Sequence, residues 1–143
     1  MCRTISLDEA NALCVELSLS PTPETRRRVV RALSLVDAVR LDAELGAVKV
    51  YIVPSQFHVN QRYVVLSAPA GENMSLVCSC PDFMDQNHLC KHAIAVRLHQ
   101  KREAEDIARR EQERIDREFA WFMAIDQQNF KETELQQLTG GWQ

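Results

Sequence analysis

Glycine is scarce in this chain, four residues of 143, and no glycine-rich phosphate loop, nucleophile elbow or HExxH pair occurs. Those absences exclude the commonest signatures of nucleotide, serine-hydrolase and zinc-protease chemistry, and the expectation is that the chain is not an enzyme and has no small-molecule substrate. Apolar residues never run to the ~18–20 needed to cross a bilayer, so no membrane contact is predicted. The N-terminus carries no basic-then-apolar leader pattern. Charge of one sign is lacking too: 17 Lys and Arg against 20 Asp and Glu leave −3. A strongly nucleic-acid-binding domain is more basic, so any DNA contact must use a local basic face. Five cysteines are an odd number, which argues against a disulfide framework and for a reducing, cytoplasmic setting. There is no internal repeat or low-complexity tract. A length of 143 residues with 45% hydrophobic content fits one globular domain with an appendage.

Four residues carry chemistry: Cys78-x-Cys80, then nine residues, then Cys90-x-His92. Three thiols and an imidazole form a complete donor set for one tetrahedral Zn²⁺, and four protein ligands leave no open position for water, so the ion is expected to be structural. Residues i and i+2 of a strand share a face, which lets Cys78 and Cys80 approach one ion from a strand end. Pro81 stops the ladder because it has no N–H. Cys90 and His92 lie ~200° apart in mid-helix, so Cys90 is placed at a helix start and His92 in its first turn. The polar lead-in Asp85-Gln86-Asn87-His88 and the run Ala93–Leu98 support that placement. The metal then clamps a hairpin end to a helix start. His88 is the alternative fourth ligand. Buried or redox-active thiols are the alternative for the cysteines, and iron–sulfur ligation would want four thiolates. Cys2 and Cys14 read as small buried hydrophobes.

Cys78-Ser79-Cys80-Pro81-Asp82-Phe83 and Cys90-Lys91-His92-Ala93-Ile94-Ala95-Val96 together resemble the SWIM-type zinc finger, C-x-C-x(n)-C-x-H. The preceding Val50–Gln56 is similar to the strand that leads into the motif. The resemblance covers roughly residues 45–100 and implies zinc ligation by Cys78, Cys80, Cys90 and His92. The family occurs in transposases, helicase-like ATPases and a recombination-mediator complex, and is generally assigned to DNA binding or protein–protein contact.

Around the ligands, Asp82 either receives the free N–H of His92 or caps a turn after Pro81. Lys91 neutralises a centre whose net charge is about −1 and favours the thiolates. Phe83 is expected as a core plug beneath the metal. His58, His88 and His99 read as surface residues.

The expected fold is α+β: a small antiparallel β-sheet with a β-β-α SWIM-like finger, N-terminal helices on one side and a long C-terminal helix. Residues 1–44 form the N-terminal helical region, 45–100 the finger and 101–143 a charged extension. Ser6-Leu7-Asp8-Glu9 is a capping box opening a helix over about 7–18. Thr22-Pro23 caps a second, running to about Val36. Strands are expected at 39–42, 48–53, 63–67 and 74–78, with a turn at Ala70–Asn73. The last helix is expected to run from Cys90 to about Ile125. Its charged middle is supported by the pairs Glu105/Arg109, Asp106/Arg110 and Glu113/Arg117, and a short helix follows at 131–138, ending at Gly140-Gly141.

Two basic sets are candidates for nucleic-acid contact. Arg26, Arg27, Arg28 and Arg31 stripe the second helix, as a phosphate-binding face or a solvated one. Arg62, Lys91, Arg97, Lys101 and Arg102 would gather around the finger. The aromatic cluster that includes Phe119, Trp121, Phe122 and Ile125 is a candidate docking surface for a protein partner or a second copy, unless the helix breaks and the cluster packs back. The reading is an accessory nucleic-acid-binding protein of a mobile-element or recombination system, with a protein–protein adaptor as the alternative.

Overall fold

The computed structural model describes residues 4–86, without the Gln86 side chain, and 89–140. Cys2, Asn87, His88 and Gly141, which figure in the sequence analysis, lie outside the described residues. The chain divides into two units, Met1–Arg102 and Glu103–Gln143.

The first unit starts where the sequence supplies caps. Helix α1 (Leu7–Glu16) opens on Ser6, whose hydroxyl accepts from the Glu9 N–H at 3.2 Å while the Glu9 carboxylate accepts from the Ser6 N–H at 2.7 Å. This reciprocal capping box satisfies two orphan donors. Helix α2 (Pro23–Leu33) opens on Thr22 with Pro23 at its first position. It ends three residues earlier than expected, and Val36 lies instead in a 3₁₀ turn, Val36–Ala38, where it is buried.

Strands β1 (Arg40–Leu45), β2 (Val48–Pro54), β3 (Arg62–Ala70) and β4 (Asn73–Cys78) form a meander in chain order, antiparallel throughout. β1 runs further than expected and carries an irregularity between Leu41 and Ala43. Gly71, at φ 61°, takes the left-handed conformation that the short β3–β4 turn requires. One sheet face turns Tyr51, Val53, Val65, Ser67, Leu76 and Cys78 inward, against Cys14, Leu17, Val29, Ala32, Leu35 and Ile94 of the helical side. Cys14 is thus core, as expected. The buried Ser67 hydroxyl and the Tyr51 hydroxyl both accept from the Gln100 side-chain amide, at 2.8 and 3.2 Å. The opposite face carries Val50 paired with Leu66, Leu66 with Val77, and Ile52 with Val64. Val64, Leu66 and Val77 are 38–47% exposed there.

Helix α3 (Pro81–Gln86) intervenes before helix α4 (Lys91–Thr139). α4 is continuous for 49 residues, which corrects the expected stop near Ile125 and the separate helix at 131–138. No proline or glycine interrupts residues 91–139, and Glu, Gln, Lys, Arg and Ala are strong helix formers. In the second unit every described residue is exposed. Arg114 reaches both Glu111 and Glu118, and Asp106 pairs with Arg109 instead of the expected Arg110. Phe119, Trp121 and Phe122 are each more than 60% exposed, so the cluster stands on an unbroken helix with its aromatic area open.

Ile94 is fully buried beneath the sheet. Ile94→Ala is expected to cost ~2–5 kcal/mol in urea unfolding of the zinc-loaded protein. Leu66→Thr on the open face should stay within about 0.5 kcal/mol of the parent. Equal effects would contradict the one-sided core.

Candidate metal centre

β4 delivers Cys78 at its last residue, and the pairing continues one step further. Ser79 donates its N–H to the Val64 carbonyl and accepts from the Val64 N–H on its hydroxyl, both at 3.0 Å. That fixes the chain on which Cys80 sits. Cys80 and Cys90 each stand immediately before a helix, and their carbonyls accept from Met84 and Ile94, at 3.1 and 3.0 Å. Their sulfurs occupy the place of a capping side chain. Cys90 Sγ accepts from the Ala93 N–H at 3.4 Å, Cys80 from the Phe83 N–H and Cys78 from the Cys80 N–H. Backbone N–H groups aimed at sulfur, two of them at helix starts, favour thiolate over thiol.

The four donors converge. One atom from each of Cys78, Cys80, Cys90 and His92 lies within 4.8 Å of the others, and all four residues are buried. A tetrahedral zinc with bonds of ~2.3 and ~2.0 Å separates its donors by roughly 3.6–3.8 Å. The imidazole supplies an independent test of fit. His92 Nδ1 is 4.0 Å from Cys90 Sγ, and the buried Nε2 has no hydrogen-bond partner among the described residues. A buried ring nitrogen without a partner costs free energy, and coordination of the ring by a metal answers that need. The ring is flanked by Tyr63, with centroids 4.5 Å apart.

Proton sharing among the thiols points the same way. The Cys78 thiol donates to Cys90, which raises Cys78, as burial also does, and holds Cys90 well below the usual thiol range. Burial is the chief cause of the rise at Cys80. Zinc binding must displace whatever protons the raised thiols of Cys78 and Cys80 retain.

Residues 63–101 match the sequence profile of the SWIM zinc finger family. This segment is a SWIM zinc finger. The match spans well under half of the chain, from the second residue of β3 into the first turns of α4. No curated protein and no solved structure matches the chain. The finger's Cys78, Cys80, Cys90 and His92 form a site suited to one zinc ion, closed by four protein ligands and therefore structural in character.

Around the finger several expected roles are redistributed. Asp82 does not receive a proton from His92; its carboxylate lies 3.4 Å from Arg28, which also bonds Glu24 at 2.8 Å. Lys91 Nζ does not rest on the sulfurs. It donates to Gln56 Oε1 at 2.9 Å and sits 4.4 Å above the Phe57 ring. Burial first, and the nearby Arg31 charge second, lower the Lys91 pKa from its ordinary value. Phe83 packs partly buried against the core, as expected of a plug.

The two basic sets regroup. Arg27, Arg28, Arg31 and Lys91, with Glu24, Asp82, Thr22 and Pro23, line one open cavity of about 740 Å³. Arg26 turns away to bond the Pro21 carbonyl and Asn11. The second patch does not assemble, because Lys101 pairs with Glu16 and Arg102 with Asp37. Arg62 stays exposed at the start of β3 and Arg97 half-buried on α4. Gln56, Ser79 and Tyr63 are site residues that sequence reasoning missed. For Ser79 the signal was its position between two ligands at a strand end, and for α3 it was Cys80-Pro81-Asp82, a cap followed by proline and an acid. Tyr63 had no signal beyond strand propensity.

Two outcomes test the centre. Zinc binding should release thiol protons near neutral pH, so affinity should fall on acidification, as potentiometric or calorimetric titration in different buffers would show. Cys80→Ser should abolish one-to-one zinc retention through gel filtration and lower the thermal midpoint; retention of a full equivalent would remove Cys80 from the ligand set.

Proposed function

We propose that this chain is a non-enzymatic, zinc-stabilised nucleic-acid-binding accessory that contacts phosphates through the cavity between α2 and the finger. The observation that carries this reading is the gathering of Arg27, Arg28, Arg31 and Lys91 on one open cavity against only two carboxylates, Glu24 and Asp82. Arg28 engages both of those carboxylates. Arg27 and Arg31 form no ion pair among the described residues, and the ammonium of Lys91 is held by an amide and a ring. Three cations thus remain for an anion, although the whole chain is acidic. Phosphodiester oxygens suit guanidinium forks. The family's occurrence in transposases and recombination complexes supports a mobile-element or recombination setting. Four described cysteines that are free suit a reducing compartment. No helix among the described residues is long and apolar enough to cross a membrane.

A second reading, a protein–protein adaptor, is favoured by one specific observation: Phe119, Trp121, Phe122 and Ile125 all stand exposed within two turns of α4. Exposed apolar area of that kind marks interaction surfaces.

The readings separate by salt. Binding of single- or double-stranded DNA should weaken steeply as salt rises, and Arg27→Ala with Arg31→Ala should reduce the logarithmic salt slope by about two. Zinc-loaded, folded protein that gives no electrophoretic shift even at low salt would sink the nucleic-acid reading and leave the adaptor.

A further inference from the structure

The loop that joins β2 to β3, residues 55–61, is pinned by its own hydrogen bonds. The Ser55 N–H donates to the Gln61 carbonyl at 2.8 Å, and the Gln61 N–H to the His58 carbonyl at 3.1 Å. Ser55 Oγ accepts from the N–H groups of Phe57 and His58, at 3.3 and 3.2 Å, a local turn of the kind serine favours. Gln56 ties the loop to the end of α2. Its Nε2 donates to the Arg31 carbonyl at 3.2 Å and to Ser34 Oγ at 2.6 Å.

On this pinned loop Phe57 is 73% exposed. A single apolar side chain in water is ordinary on a protein surface; what sets Phe57 apart is its neighbour. Lys91 Nζ stands 4.4 Å from the ring centroid, and Lys91 also lines the basic cavity with Arg27, Arg28 and Arg31. Ring and cavity thus share one residue. Lys91 covers one face of the ring, and exposure this high leaves the other face open to a flat partner. A cationic groove beside an open aromatic face is the arrangement that holds single strands, with phosphates in the groove and a base on the ring. Bases within a duplex are stacked on one another, and freeing one costs unpairing energy.

We infer that the cavity takes single-stranded nucleic acid, with Phe57 as the platform for one unpaired base whose neighbouring phosphate lies among Arg27, Arg31 and Lys91. The inference rests on the nucleic-acid reading above and narrows its ligand. Every base has a π-face, so stacking is tolerant of sequence, and strand state is what the loop selects. The cations supply affinity that salt weakens, and the ring supplies a share that salt leaves in place.

The test uses zinc-loaded protein and fluorescence anisotropy with three labelled probes of equal length: an oligothymidylate, the same strand made abasic throughout, and a duplex. The parent should bind the oligothymidylate about tenfold tighter than the abasic strand. Phe57→Ala should weaken oligothymidylate binding by about that factor, with the logarithmic salt slope and the affinity for the abasic strand unchanged. Phe57→Trp should keep the parent's preference. Oligothymidylate binding that survives Phe57→Ala undiminished overturns the platform and leaves the nucleic-acid reading standing. Equal losses on all three probes, or a parent that prefers the duplex, do the same. A parent that binds none of the probes at low salt overturns the nucleic-acid reading itself.

Discussion

Four buried donors that the polypeptide alone cannot satisfy are the constraint on which the rest of this fold depends. Three sulfurs and an imidazole occupy the junction of β4, α3 and α4, where the chain offers one N–H to each sulfur and leaves His92 Nε2 unpartnered among the described residues. Structural zinc in small fingers contributes ~10–16 kcal/mol, as much as the entire net stability of an ordinary domain, ~5–15 kcal/mol. With magnitudes that close, the metal decides whether the junction exists. The sheet, the two N-terminal helices and the Ala93–Leu98 stretch of α4 have their own apolar contacts, so the dependence is greatest at α3.

The ligands are efficient because they act twice. Cys80 and Cys90 each end a segment of irregular chain and begin a helix, supplying from one side chain both a metal bond and a cap. An N-cap residue needs an acceptor for an N–H near the third helical position, and a thiolate can serve as well as a hydroxyl when the helix start is positive. The two helices thus place their positive ends on the negative centre, which carries about one net negative charge when zinc is bound. This removes part of the task expected of Lys91. With backbone amides already facing the sulfurs, the ammonium is released to Gln56 and Phe57 and so to the cavity beside α2.

Much of this was legible in the sequence where local chemistry dictates the outcome. Ser6 and Glu9, Thr22 and Pro23, the Gly71 turn and the four ligands are read from spacing and residue type alone, and the structure places them accordingly. What escaped depends on contacts distant in sequence. Asp82 belongs to Arg28, 54 residues away, and Lys91 to Gln56, 35 away, and nothing local distinguishes those choices from a bond to His92 or to sulfur. Helix ends failed for another reason: α4 lacks any breaker, so the polar stretch that reads as a stop at Asp126–Asn129 is simply a solvated part of one helix. The Arg26–Arg28 run illustrates the same limit. Three adjacent arginines part company, and only packing assigns Arg26 to a structural bond while Arg27 and Arg28 line the open cavity, Arg28 with a pair of carboxylates.

A closed zinc site passes the task of recognition to surfaces, and the surfaces here obey different physics. The cavity beside α2 concentrates cations against the sign of the whole chain, so its interactions are local and screened over roughly 10 Å at ordinary ionic strength. The open sheet face is a departure of another kind. An antiparallel sheet tolerates a solvated face when that face alternates to polar residues, yet the row Val50–Leu66–Val77 crosses three strands without one. Together with Phe119, Trp121 and Phe122 on α4, it leaves more apolar area open than the zinc or the basic cavity explains. Apolar association of such surfaces would persist at salt concentrations that dissolve phosphate contacts. The two kinds of surface thus respond differently to ionic strength, the cationic cavity being screened by salt and the apolar faces not.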